Sequence, residues 1–333
     1  MKFNFCGKSG VQLPALSLGF WHNFGSVDNF DTATEMVLKA FDAGICHFDL
    51  ANNYGPVPGS AESNFGKILR DNLAAHRDEM FISSKAGHDM WPGVYGDGSS
   101  RKNLIASCDQ SLHRMGLDYV DVFYSHRYDG VTPIEETMQA LVDIVRSGKA
   151  LYAGISKYPT DLQQQCYDYL KAHDVPCLLS QYPASLFKRA TGVGVHHSNS
   201  EEASNLEVAT ANGSGFICFS PLAQGLLTNK YLHGIPEHSR AARSTGFLRL
   251  DQVTAERVEA ARQLNEIAQQ RGQSLAQMAL AWLLHDERVT SVIIGTSSVA
   301  QLEDNLKTLD SLEFSEEELK AIELILADDA LQM

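Results

Sequence analysis

No stretch of the sequence carries the roughly 18 consecutive apolar residues that span a bilayer. The opening Met1-Lys2-Phe3-Asn4-Phe5-Cys6-Gly7 holds no apolar core of the kind a secretory leader needs. Basic charge is scarce: 27 Lys and Arg stand against 41 Asp and Glu, a formal net charge of −14. Nucleic acid and anionic membranes are recognised through clustered cations, so this balance argues against both as partners. A local cationic pocket for a small anion remains allowed. The six cysteines (Cys6, Cys46, Cys108, Cys166, Cys177 and Cys218) are scattered, with no C-x-x-C and no histidine at ligand spacing. That pattern speaks against a disulfide framework or a zinc site and fits free thiols in a reducing cytoplasm. The adjacent pair His196-His197 lies in a Gly/Ser-rich stretch, and neighbouring side chains seldom converge on one ion without further ligands. No G-x-G-x-x-G follows an apolar run, so a Rossmann fold is not indicated. Neither linker nor repeat divides the chain, and residues 1–333 read as one domain.

What is present is alternation. Short apolar or β-branched runs occur at Leu16–Gly19, Ile45–Leu50, Met80–Ser84, Val120–Ser125, Leu151–Ile155, Cys177–Ser180, Phe216–Phe219 and Ser291–Ile294. Longer segments of helical period separate them. Ile134, Met138, Leu141, Val142 and Val145 step down one helical face, as do Val258, Ala261, Leu264 and Ala268. Strand and helix in strict alternation predict parallel βαβ units, and eight units are the number that closes a (β/α)₈ TIM barrel. Ahead of the first unit, Phe3–Phe5, Gly7–Gly10 and Val11–Leu13 predict a β-hairpin that caps the barrel floor. At the other end Ser315, with Glu318 three residues on, opens a C-terminal helix through Leu319, Ile322 and Leu326. The long polar stretches Met90–Arg101, Lys188–Ser204 and Thr228–Gln252 each follow a strand, which puts them over the C-terminal mouth where barrel enzymes keep their sites.

Four ionisable residues fall at or just beyond the ends of successive predicted strands: Asp49 and Tyr54, then Lys85, then His126. Singly each has a plain reading as a helix cap, a mouth-lining aromatic, a solvated cation and a polar core residue. Together they point into one volume, and their chemistry is complementary. A tyrosine is a poor acid at neutrality unless a cation stabilises its phenolate. Lys85 supplies that charge, Asp49 holds Lys85 protonated, and His126 orients a carbonyl and assists proton transfer.

The segments HFDLANNYG (His47–Gly55), SSKAG (Ser83–Gly87) and YSHR (Tyr124–Arg127) resemble the catalytic motifs of the aldo-keto reductase superfamily. SLGFWHNFG, YGPVPGSAE, DMWPGVYG, GKALYAGIS, SPLAQGLL and VTSVIIGTSS are similar to the branch that holds potassium-channel β subunits and bacterial glyceraldehyde 3-phosphate reductases, the reductases more nearly. The resemblance runs from Phe5 to about Ile325. It implies an NADPH-dependent reductase of small aldehydes, with Tyr54 as the general acid and Asp49, Lys85 and His126 in support. It places Ser156 and Gln181 on the nicotinamide carboxamide, with Phe219 stacked on the ring. Trp21, Ser220, Leu222, Gln224 and Lys230 then line the path of the pyrophosphate and ribose, and Asp49 is also a cofactor-binding residue. Gly295, Ser297, Gln301, Asp304 and Asn305 take the adenosine end. Gly295–Ser298 also has a physical reading of its own, since backbone N–H groups opening a helix at Val299 favour a phosphate.

The resemblance further implies a tendency to form homo-oligomers. The chain departs from it at Gln301, where many members carry an arginine for the adenosine 2′-phosphate, which leaves Lys230 and then Arg240 as the cations for that group. It departs again at Gln181-Tyr182-Pro183-Ala184-Ser185, where the branch reads Q-x-x-Y-N, and over Lys188–Ser204. Substrate contacts fall to Trp21, Tyr54, Trp91 and His126, an aromatic wall suited to short aldehydes. Arg127, Lys188 and Arg189 are the candidate cations for a substrate phosphate. Two other readings share the barrel. A Schiff-base aldolase would need Lys85 neutral, against the adjacent Asp49; a channel-type regulatory subunit would bind NADPH and dock to a membrane partner, a purely structural role that the complete set of four disfavours.

Overall fold

The computed structural model describes residues 1–194, 203–232, 234 and 248–333. His196-His197, Arg240 and parts of the stretches Lys188–Ser204 and Thr228–Gln252 lie outside the described residues. The chain opens with an antiparallel pair, β1 (Phe3–Phe5) and β2 (Gln12–Pro14), in the register Phe3↔Pro14 and Phe5↔Gln12. Strands β3 (Leu16–Gly19), β4 (His47–Asp49), β5 (Phe81–Ala86), β6 (Val120–Ser125), β7 (Ala150–Ser156), β8 (Cys177–Pro183), β9 (Gly215–Phe219) and β10 (Val289–Ile294) follow. Neighbours pair in parallel around the ring, and β10 pairs back onto β3 through Ile293↔Ser17, closing a (β/α)₈ barrel.

Helices lie between successive strands: α1 (Phe30–Asp42), α2 (Ser60–Ile68), α3 (Arg101–Met115), α4 (Ile134–Arg146), α5 (Thr160–Ala172), α6 (Asn205–Ala211), α7 (Ala255–Gln270) and α8 (Leu275–His285). Two more, α9 (Val299–Leu306) and α10 (Glu316–Ile325), follow β10, and α10 opens on a Ser315–Glu318 capping box. Among the described residues no helix is long and apolar enough to cross a membrane, and all six cysteines are free thiols.

The periodic segments form the elements their patterns predict, because one apolar face of each helix packs against the strands. The interior holds a separate cluster in which Cys6 and Leu13 from the N-terminal hairpin meet Val122, Tyr124, Leu179, Ile217 and Ile293. The hairpin therefore seals the floor with side chains that would otherwise be wet; burying each aliphatic side chain contributes about 1.5–3 kcal/mol. Tyr124 fits inside because β7 carries Gly154 next to it, where a Cβ would lie 2.4 Å from the Tyr124 ring. Two strands run further than their apolar runs. β5 continues through Lys85 to Ala86, and β8 continues through Gln181 to Pro183. Closed-barrel backbone pairing (Lys85↔Tyr124, Gln181↔Ile217) satisfies these residues whatever their side chains. Both extensions end at the mouth, and both carry site residues.

Candidate active site

Asp49 ends β4, Lys85 lies near the end of β5, and His126 follows β6 directly, so adjacent strands present them at one rim. Tyr54 comes from the loop after β4, where its N–H donates to Ala51 O and its carbonyl accepts from Ala61 N. That tight turn requires Gly55. Its φ is +83°, and a Cβ there would meet Ser60 Oγ at 2.5 Å and Gly25 Cα at 2.9 Å. The turn aims the ring inward: Lys85 Nζ lies 4.9 Å from its centroid, and the His126 ring packs edge-on at 5.8 Å.

Lys85 is fully buried and held hard. Its ammonium donates to Asp49 Oδ2 at 2.7 Å and to Leu50 O at 2.5 Å. The other Asp49 oxygen accepts from Ser83 Oγ at 2.9 Å and from Gln181 Nε2 at 2.8 Å. Burial pulls the Lys85 ammonium down, and the Asp49 carboxylate opposes that loss. Burial and the same carboxylate push the Tyr54 phenol well above its ordinary range, so it keeps its proton at neutral pH. Burial, with Lys157 and Lys85 nearby, holds His126 well below 6.5 and hence neutral, and its buried Nδ1 has no hydrogen-bond partner. The arrangement is a proton-bearing phenol beside a fixed cation and a neutral imidazole. Such a set can protonate a developing alkoxide and then stabilise the phenolate left behind.

Beneath it runs a polar thread that the motifs did not reveal. Ser291 Oγ donates to Pro14 O, Ser17 Oγ lies 2.6 Å from Ser291 Oγ, and His47 bridges Ser17 Oγ at 2.7 Å to Ser83 Oγ at 3.2 Å. Ser83 hands the thread on to Asp49. Burial lowers His47 to about 4, so it is a neutral strut.

A groove of about 280 Å³ opens beside the four residues. Trp21, Asp49, Tyr54 and Phe219 line its inner end, Ser220, Leu222, Gln224 and Lys230 its wall, and Gly295, Ser297 and Gln301 its outer end. Ser156 and Gln181 lie buried below, outside that lining, joined by Ser156 Oγ donating to Gln181 O at 2.8 Å. The wall loop after β9 holds Ser220, Ala223 and Gln224 at positive φ, a strained shape that persists only where surroundings enforce it. Lys230 is exposed with no carboxylate partner among the described residues, and Asn305, on α9 outside the lining, is buried with its Nδ2 unpartnered. An elongated, polyanionic dinucleotide fits such a groove. Two residues assigned to the adenosine end already have partners. The Ser297 N–H and Oγ are already engaged by Gln301 Oε1, both at 3.0 Å, so the N-terminus of α9 is part-capped by its own side chain. Asp304 is bound by Gln277 Nε2 at 2.8 Å.

The chain aligns with the aldo/keto reductase family model over residues 15–327. The chain belongs to the aldo/keto reductase family. It is an oxidoreductase, and among curated relatives it is 54% identical to the L-glyceraldehyde 3-phosphate reductase of Escherichia coli O157:H7, covering 100% of this chain and 94% of that one. The protein of the same name from E. coli K12 is 53% identical with the same coverage. A probable voltage-gated potassium channel subunit beta of Oryza sativa subsp. japonica is 33% identical over 93% of this chain and 92% of its own.

Trp91 stands apart from the expected aromatic wall. It is absent from the groove lining, and among the described residues no ring contact joins it to Trp21 or Tyr54. Of the candidate phosphate cations, Arg189 pairs with Glu323 on α10 at 2.7 Å and Arg127 with Asp97 at 2.7 Å. Sequence reasoning missed His88 and Lys157, which flank the mouth. The signal was their place beside motifs already singled out, one residue past SSKAG and one past GKALYAGIS.

Proposed function

We propose that this reductase reduces small aldehydes with NADPH, taking the proton from Tyr54. The observation that carries the reading is the lock on Lys85. An ammonium bound by both Asp49 and Leu50 O, and facing the Tyr54 ring, has one evident use, to stabilise a phenolate. The nicotinamide, when bound, supplies the hydride. The residues of the chain do the rest. His126 holds the carbonyl oxygen near the phenol, Tyr54 gives its proton to the alkoxide as charge develops, and Lys85 stabilises the anion until Tyr54 is reprotonated. Phe219 and Trp21 give the nicotinamide and substrate apolar walls, while Ser156 and Gln181 act from beneath. Glyceraldehyde 3-phosphate and methylglyoxal-like aldehydes fit this inner end, in line with the names of the two E. coli relatives. An aldolase role for Lys85 is disfavoured by its ion pair with Asp49, which keeps the amine from attacking a carbonyl.

Tyr54→Phe keeps the ring and removes the proton donor. Aldehyde reduction should fall by about 10²–10⁴ in kcat while NADPH affinity by fluorescence titration is kept. A variant with wild-type kcat and KM would overturn the role of Tyr54.

A further inference from the structure

Lys157 is the first residue after β7, and its position is unusual on three counts. Its backbone sits at φ +57°, a left-handed conformation that lysine seldom adopts. Its ammonium is bonded to a ring and not to a carboxylate: Nζ lies 2.6 Å from His88 Nε2. Among the described residues no carboxylate lies within ion-pair distance of it. Burial pulls His88 down to about 4, so its Nε2 accepts from the ammonium and its ring proton sits on Nδ1.

The surroundings are cationic and belong to the mouth. The His88 ring packs edge-on against His126 at 4.5 Å, and Lys157 Nζ lies 5.9 Å from the centroid of Phe219, which lines the groove beside Tyr54. Burial first, and then Lys85 and Arg127 as like charges, bring the Lys157 ammonium down to about 8. Lys85 and Arg127 have their own counter-charges in Asp49 and Asp97. Among the described residues Lys157 has none. A part-buried cation held in a strained conformation without a counter-charge is a costly arrangement, and an incoming anion would relieve it.

We propose that Lys157, steadied by His88, is the substrate-specificity residue of the mouth: it binds the anionic substituent of a short aldehyde whose carbonyl sits between Tyr54 and His126. The inference rests on the reductase reading above and deepens it, since it assigns the substrate class as anionic short aldehydes. It also moves the substrate-anion role away from Arg127 and Arg189, which are already paired.

The test uses a matched pair, glyceraldehyde 3-phosphate and glyceraldehyde, with succinic semialdehyde as a carboxylate probe. Lys157→Asn removes the charge and keeps a residue that tolerates positive φ. KM for glyceraldehyde 3-phosphate should rise by about one to two decades, and any change for glyceraldehyde should be at least about ten-fold smaller. Lys157→Arg should restore most of the preference. A like rise with succinic semialdehyde would make the subsite a general anion site; no rise there would restrict it to phosphate. A fall shared equally by charged and neutral aldehydes, or no change with either anion, overturns the proposal. Binding of glycerol 3-phosphate, followed calorimetrically with NADPH present, reads the subsite without turnover. A Kd unchanged by Lys157→Asn would sink the subsite even if the reductase chemistry stood, whereas a weakened Kd in a protein that reduced no aldehyde would fault the reductase reading alone.

Discussion

The two ends of the groove are built on opposite terms. Beneath the inner end, Lys85, Asp49, Ser83, Gln181 and His47 are buried and bonded to one another, so each polar group is held in place by its neighbours. At the outer end Lys230 is exposed and Gln301 caps Ser297, while Asn305 Nδ2, further along α9 and outside the lining, is unpartnered. The inner end is preorganised, so that little rearrangement accompanies charge development in the transition state. The outer end keeps its bonds exchangeable, as suits a cofactor that must arrive and leave. Substitutions should therefore cost folding stability at the inner end and ligand affinity at the outer.

The largest expected effect follows removal of the inner cation. Lys85→Met leaves Asp49 buried with an uncompensated charge, which should destabilise the fold by about 3–5 kcal/mol in urea unfolding. Adding Asp49→Leu should recover most of that loss, because an apolar pair of similar volume replaces a buried ion pair at little cost. Activity should stay lost in both. If the double variant were no more stable than the single one, the ion pair would not be the source of the penalty.

A somewhat smaller effect should appear with acid. His47 is buried and held neutral down to about 4, against 6.5 in an unfolded chain. The unfolded state thus binds a proton that the folded state refuses, so stability is full above pH 6.5 and declines as pH falls towards 4. Over that window the loss is roughly 3 kcal/mol. His47→Asn should start lower in stability but show a shallower decline between pH 6.5 and 4. Parallel curves for the two proteins would remove His47 from the thread.

The same contrast explains what the sequence made legible. The eight strands and the four catalytic candidates could be read because apolar periodicity and strand ends mark them directly. The lengths of β5 and β8 could not, since Lys85 and Gln181 look like residues past a strand; barrel closure, a long-range property, keeps them inside it. The Ser17–His47–Ser83 thread was hidden because it joins residues 30 and 36 positions apart through barrel geometry alone. Trp91 was legible only as part of a local motif. Its loop closes on itself, with Met90 N–H donating to Gly96 O, and among the described residues no ring contact ties it to the wall it was expected to join.

The smallest expected effect lies at the outer end and tests its exchangeable character. Lys230 lines the groove and carries no ion pair among the described residues, so its charge is available to the 2′-phosphate of NADPH, while Gln301 brings only a neutral amide. Lys230→Met should weaken NADPH by about one decade in Kd, the lower part of the range for a charge-assisted bond, because the side chain is exposed and screened. NADH, lacking that phosphate, should bind nearly as before, and urea unfolding should be unchanged. Fluorescence titration of both cofactors reads the difference, and raising salt should shrink it. Equal weakening of both cofactors would place Lys230 on the shared pyrophosphate. A loss of folding stability would mean that Lys230 is tied into the fold as firmly as the inner residues are, and the contrast between the two ends would fail.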